Sequence, residues 1–216
     1  MQPADPTRET ITGVILAGGL SRRMGGGDKG LLDLAGESMI TRVIARLRPQ
    51  VDAIVVNANG DPARFGSLAL PVAADPIDGF IGPLAGVLAG MRWAALNRPR
   101  DRHVATVSSD APFLPHDLIA RLLAAVAGQP GTIAVAASDD GLHPVIGLWP
   151  VAHADDLERS LRAGVRKVLD WTDRHGTIPV KFDPVAVGDA RVDPFFNANT
   201  PAELAEARRL LERLRP

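Results

Sequence analysis

Residues 11–30 read ITGVILAGGLSRRMGGGDKG, and this stretch constrains the chain more than any other. An apolar, β-branched run at 11–16 reads as a buried parallel strand. It breaks directly into glycine at positions 18, 19, 25, 26, 27 and 30, with Ser21, Arg22, Arg23 and Lys29 interspersed. Glycine lets backbone approach a ligand with no Cβ in the way. Free backbone N–H groups with Arg and Lys beside them make a site for a polyanion. The simplest polyanion of that size is a nucleoside triphosphate.

Two common glycine motifs do not account for the stretch. A Walker A loop ends in Gly-Lys-Ser/Thr, whereas here Asp28 precedes Lys29 and Gly30 follows it, so the Mg²⁺-binding hydroxyl is missing. The spacing G-x-G-x-x-G is met by Gly25, Gly27 and Gly30, but well past the strand end and with no helical pattern opening after it. The next strand ends in Asn57 rather than in a ribose-binding acid, which argues against a dinucleotide-dependent oxidoreductase.

Downstream, strands alternate with helices, the pattern of a mostly parallel sheet covered on both faces. Strands are expected at 53–56, 70–74, 104–108, 132–137, 144–149 and 178–182. Helices are expected from Ser38 to Leu47, from Gly82-Pro83-Leu84 onward, from Pro115 to Val126, at 154–163, at 165–174 and at 201–214. Residues 31–34 read as a short extended piece that turns at Gly36. The polar residues of interest then fall at strand carboxyl ends: the glycine loop after the first strand, Asn57 after the second, Asp75 after the third and Asp110 after the fourth. Open parallel sheets bind ligands along that edge. Asp110, in SSDAPFLP, follows a buried strand and is held by a proline turn, which suits a hard-oxygen ligand for Mg²⁺; an Asp there also suits a helix cap. Asn57 suits a hydrogen bond to base or ribose, and equally a turn.

The net charge of −1 excludes a general nucleic-acid or membrane-surface binder, so the basic loop is a local feature. The chain has no cysteine, which excludes disulfides, thiolate-bound zinc and a thiol nucleophile. Its 216 residues, 46% hydrophobic and 23% charged, suffice for one large α/β domain, expected over 11–216 behind a fraying polar tail at 1–10. No apolar run is long enough to span a bilayer, and a cytoplasmic monomer is expected.

The glycine stretch fits L-A-G-G-x-S-x-R-M-G-G-x-D-K-G position by position, from Leu16, Ala17, Gly18 and Gly19 through Ser21, Arg23, Met24, Gly25, Gly26, Asp28, Lys29 and Gly30. DPIDGFIGPLAG at 75–86 and NANTPAEL at 197–204 add to the pattern. The chain thus resembles the molybdenum cofactor guanylyltransferases, of the nucleotide-diphospho-sugar transferase superfamily. That resemblance implies a three-layer α/β/α sandwich and transfer of GMP from Mg-GTP to molybdenum-molybdopterin, with pyrophosphate released. It implies GTP contacts at Leu16, Ala17, Gly18, Gly19, Lys29, Asn57, Asp75 and Asp110. Lys29, Arg23 and Asp110 would be catalytic, with Mg²⁺ on Asp110, and Asn197 and Asn199 would face the pterin acceptor. Proteins that deliver molybdopterin and mature molybdoenzymes would be partners. A cytidylyltransferase on the same pterin and a sugar-phosphate nucleotidyltransferase are the nearest alternatives, and a non-catalytic nucleotide-binding protein the next. The L-A-G-G run, where cytidylyl enzymes tend toward L-A-A-G, favours guanylyl transfer.

Overall fold

The protein is described from a computed structural model covering residues 9–18, 28–79 and 82–212. A seven-stranded sheet runs through its middle, in the order β5-β4-β1-β6-β8-β7-β9. These strands are β1 (Ile11–Leu16), β4 (Ala53–Asn57), β5 (Val72–Ala73), β6 (His103–Ser108), β7 (Ile133–Ser138), β8 (Gly141–Pro150) and β9 (Thr177–Lys181). β1 pairs in parallel with β4 and β6, β4 with β5, and β7 with β9. β8 runs antiparallel between β6 and β7.

Alternation along the strands sends side chains into two cores. On one face Ile11, Ile15, Ile54, Val56, Ala105 and Val107 pack under α1 (Met39–Leu47) and α3 (Leu118–Ala125). On the other, Val14, Val55, Val104 and Trp149 pack under α2 (Pro83–Asn97), α4 (Ala154–Arg162) and α5 (Val168–Thr172). The result is the expected α/β/α sandwich. The end of α1 lies close on Gly13, where an added Cβ would sit 2.9 Å from Leu47 Cδ2. α2 lies closer still on β1: a Cβ at Gly90 would come within 2.4 Å of Val14 Cγ2. The glycines of α2 therefore set its distance from the sheet.

Local signals account for most boundaries. Ser38 caps α1 by accepting from Thr41 N at 3.3 Å. Gly82 adopts φ +94°, ψ −176°, open essentially to glycine, and Pro83 takes the first turn of α2. Other expectations are corrected. The third strand shrinks from 70–74 to Val72–Ala73, because only those residues pair with β4. The helix expected at 165–174 is only Val168–Thr172, followed by a 3₁₀ turn at Asp173–His175. The extended piece at 31–34 is a 3₁₀ turn at Lys29–Leu31 and a small ribbon of β2 (Asp33–Leu34) with β3 (Glu37–Ser38). At the expected tail, residues 1–8 lie outside the described set, but Glu9 and Thr10 are anchored: Glu9 pairs with His103, and Thr10 Oγ1 donates to buried Asp101 at 2.5 Å.

One element was not anticipated. β10 (Val185–Val187) and β11 (Ala190–Val192) form a hairpin whose Val187 and Val192 join Leu34, Met39, Phe113, Ala198 and Leu204 in a third cluster beside α6 (Pro201–Glu212). This cluster carries the segment before α6 up to the sheet's carboxyl edge.

Candidate active site

The strand ends that matter finish level with one another. Leu16 is in register with Asn57 on one side and Ser108 on the other, and Asn57 with Ala73. The ladder continues one step further, as Ala17 N donates to Asn57 O (2.8 Å) and Ser109 N to Leu16 O (3.1 Å). Ala17, Gly18, Asp75 and Asp110 therefore emerge along one edge, as the sequence pattern required.

At the β6 end, Lys29 Nζ donates to Asp110 Oδ2 in a short ion pair, although 81 residues separate them. The same ammonium donates to Asn199 Oδ1 at 2.5 Å. Ser108 Oγ donates to the other carboxylate oxygen of Asp110. Both charged side chains are largely shielded, at 13% and 14% exposure. Two backbone features hold this geometry. Gly30 sits against Ser109, so close that a Cβ would lie 2.9 Å from Ser109 Cβ. Ala198 N donates to Asp110 O at 3.3 Å, which brings the 197–199 turn to the carboxylate. In the structure Thr200 caps α6, exchanging bonds with Glu203, and Asn199 Oδ1 accepts from Lys29. Asn197 Oδ1 is buried with no hydrogen-bond partner, an orphaned oxygen of the kind that a ligand satisfies.

At the β4 and β5 ends, Asn57 is 4% exposed and donates through Nδ2 to Asp75 Oδ1 (2.9 Å) and Ala73 O (3.2 Å). Its Oδ1 faces Gly86 of α2 and lies 3.8 Å from where a Gly18 Cβ would be. Asn59 grips Asp75 twice, with Nδ2 donating to Oδ2 (2.7 Å) and Oδ1 accepting from Asp75 N (2.8 Å). Asp78 stands exposed in the following loop.

Of the sequence-derived residues, the structure brings Lys29, Asp110 and Asn199 into contact, places Asn197 within that turn, and joins Asn57 to Asp75. Gly19 and Arg23 lie outside the described residues. Sequence reasoning passed over Ser108, whose signal was its place two residues before Asp110 at a strand end. Arg64 was also passed over; it carries no motif. His143, on β8, is half-buried, bonds Ser138 Oγ at 2.7 Å and packs at a tilt against Phe195, ring centroids 4.6 Å apart. Burial lowers its pKa below the ordinary value, against the opposing pull of Asp193 and Asp140. It holds the segment leading to Asn197.

A cleft of about 850 Å³ opens at the opposite edge of the sheet, lined by Glu9, Arg102, His103 and Gly131 among others. It contains none of these polar groups. Among the described residues no group of three or more His, Asp or Glu side chains could enclose a metal. A divalent ion here would rest on one carboxylate, an amide oxygen and phosphate oxygens of a substrate, which is how Mg²⁺ is commonly bound. Asp110 and the orphaned Asn197 Oδ1 are hard oxygen donors and fit that description.

Residues 13–177 match the family described as "MobA-like NTP transferase domain". The chain is 54% identical over 198 residues to the molybdenum cofactor guanylyltransferase of Rhodopseudomonas palustris (strain BisB5), covering 91% of this chain and 92% of that protein. It is 49% identical over 205 residues to the protein of the same name from Bradyrhizobium sp. (strain ORS 278), covering 94% of each. The crystal structure of molybdopterin-guanine dinucleotide biosynthesis protein A from Archaeoglobus fulgidus superposes with a TM-score of 0.71 over 94% of this chain and 99% of that one. At 22% identity it shows a shared fold.

Proposed function

The chain belongs to the molybdenum cofactor guanylyltransferases, built on a MobA-like NTP transferase domain, and from that premise we propose that it transfers GMP from Mg-GTP to the terminal phosphate of molybdenum-molybdopterin, releasing pyrophosphate. One observation carries the site assignment: Lys29, at the exit of the glycine loop, meets Asp110 and Asn199 at a single point on the sheet's ligand-binding edge.

The acceptor phosphate is anionic at neutral pH, so attack on the α-phosphorus requires no general base. The obstacle is bringing two polyanions together. Mg²⁺, held at Asp110 with Asn197 Oδ1 as a further donor, would supply neutralising charge on the triphosphate. Lys29 and Arg23 would bind phosphate oxygens, and the loop N–H groups would cradle them. Ser108 orients the Asp110 carboxylate by donating to its second oxygen. Asn57 has its amide N–H groups committed to Asp75 and Ala73, so it offers an acceptor oxygen to ribose hydroxyls or a guanine N–H. Asn199 sits on the acceptor side, linked to the nucleotide side through Lys29. Catalysis is then positioning and charge stabilisation at in-line displacement, and the α–β phosphoanhydride is the bond that breaks.

The test is direct. Purified protein with GTP, Mg²⁺ and molybdenum-molybdopterin should release pyrophosphate and form the guanine dinucleotide, and GTP should raise its melting temperature more than CTP does. Binding without pyrophosphate release would leave only a nucleotide-binding protein, and equal protection by CTP would remove the base assignment.

A further inference from the structure

We infer that Arg64 is a positioning residue for the nucleotide, fastening the exit of the glycine loop to the turn after β4 and taking up the charge of Asp28; this rests on the guanylyltransferase reading above. Arg64 lies in the 3₁₀ segment Pro62–Leu68, which carries no motif. Its guanidinium is committed in three directions. Nε pairs with the Asp28 carboxylate, Nη2 donates to Asn59 O at 2.5 Å, and Nη1 donates to Asp61 O at 2.7 Å. Gly60, at φ +83°, leaves room for it, since a Cβ there would lie 3.2 Å from Nη1. The pair is mostly shielded, with side-chain exposures of 29% for Arg64 and 18% for Asp28.

Two consequences follow. Asp28 immediately precedes Lys29 and opens its 3₁₀ turn, where the Asp28 side chain caps nothing. Without Arg64, a carboxylate one residue from Lys29 would compete for that ammonium and oppose a triphosphate. The second consequence is mechanical. Arg64 holds the backbone of Asn59, and Asn59 holds both a carboxylate oxygen and the backbone N of Asp75. One side chain thus links the Lys29 half of the site to the Asp75 half. A planar fork with several donors can do this, whereas an ammonium cannot reach three divergent acceptors.

The variants are Arg64→Met, Arg64→Lys, Asp28→Asn and the Asp28→Asn/Arg64→Met pair, each measured for Mg-GTP affinity by calorimetry, for KM and kcat, and for melting temperature. Arg64→Met should raise Kd and KM for GTP about tenfold, with kcat within about threefold and KM for the pterin acceptor unchanged. Arg64→Lys should keep most of the defect. The double variant should recover part of the loss, because no unpaired carboxylate remains. Wild-type GTP binding accompanied by unimpaired binding in Arg64→Met overturns the inference alone. So does a loss shared equally between GTP and acceptor that tracks melting temperature, since that would mark a purely structural role. Failure of the unmodified protein to bind GTP overturns the guanylyltransferase reading as well.

Discussion

Lys29 and Asp110 satisfy each other, and each becomes an uncompensated charge if its partner is truncated. Lys29→Ala and Asp110→Asn should each lower pyrophosphate release by about a hundredfold or more, with far-UV circular dichroism unchanged; near-normal turnover in either variant would remove that residue from the mechanism. His143 gives a residue-level prediction about acidity. Burial holds its imidazole below the ordinary 6.5, outweighing Asp193 and Asp140. The unfolded chain therefore takes up the proton first as pH falls. The stability held by neutral His143 is complete above about pH 6.5 and declines below it. His143→Gln should flatten that decline in denaturant midpoints measured from about pH 5 to pH 8. Lys29 and Asp110 were both nameable in advance because each stands in a local pattern, a glycine loop or a strand end. Arg64 was not, because its significance is a contact and nothing in its neighbours announces it, and Ser108 had only its place two residues before Asp110.

Among the elements, α2 shows how closely site and packing are interleaved. Two of its glycines face the sheet one turn apart, yet they guard different things. A Cβ at Gly86 would lie 2.3 Å from Asn57 Oδ1 and 2.7 Å from Leu16 Cδ2, whereas the atoms nearest a Cβ at Gly90 all belong to Val14. Gly86→Ala should therefore displace Asn57 and weaken GTP binding. Gly90→Ala should cost about 1–3 kcal/mol by overpacking, partly offset by the helix preference for alanine of about 1 kcal/mol, and leave KM for GTP unchanged. Calorimetric titration and denaturant melts on the two variants separate these effects; the same profile in both would contradict the assignment. Ser38 at the start of α1 and Pro83 in the first turn of α2 were legible because caps act through adjacent backbone. The β10–β11 hairpin was not. Its strands are three residues each, too short for alternation to register, and they form because Val187 and Val192 find a surface made by β2 and α6.

Across the whole molecule, the sheet is not uniformly parallel. β8 enters between β6 and β7 in the opposite sense, and its carboxyl end carries Trp149 into the second core, where Trp149 Nε1 donates to Thr106 Oγ1 at 2.7 Å. Trp171 of α5 stacks on Trp149 with centroids 6.3 Å apart and donates to Asp156 at 3.0 Å, closing that side of the sandwich. Trp171 is fully buried, so Trp171→Ala should cost about 3–5 kcal/mol, read as a lowered denaturant midpoint at constant m-value. A loss below about 1 kcal/mol would mean that the second core does not depend on this residue.

By itself the sequence determined that a buried strand runs into a glycine-rich stretch, that helices alternate with strands, and that polar groups gather at strand carboxyl ends. All of these are written in periodicity and in the conformational limits of glycine and proline, which act over a few residues. Only the tertiary structure decided that Lys29 reaches both Asp110 and Asn199, that β8 reverses, and that Arg64 joins two halves of the site. Those pairings close loops of tens to more than a hundred residues. They exist because the packed sheet and its satellite core bring the partners together, and no local pattern encodes a partner that distant in the chain.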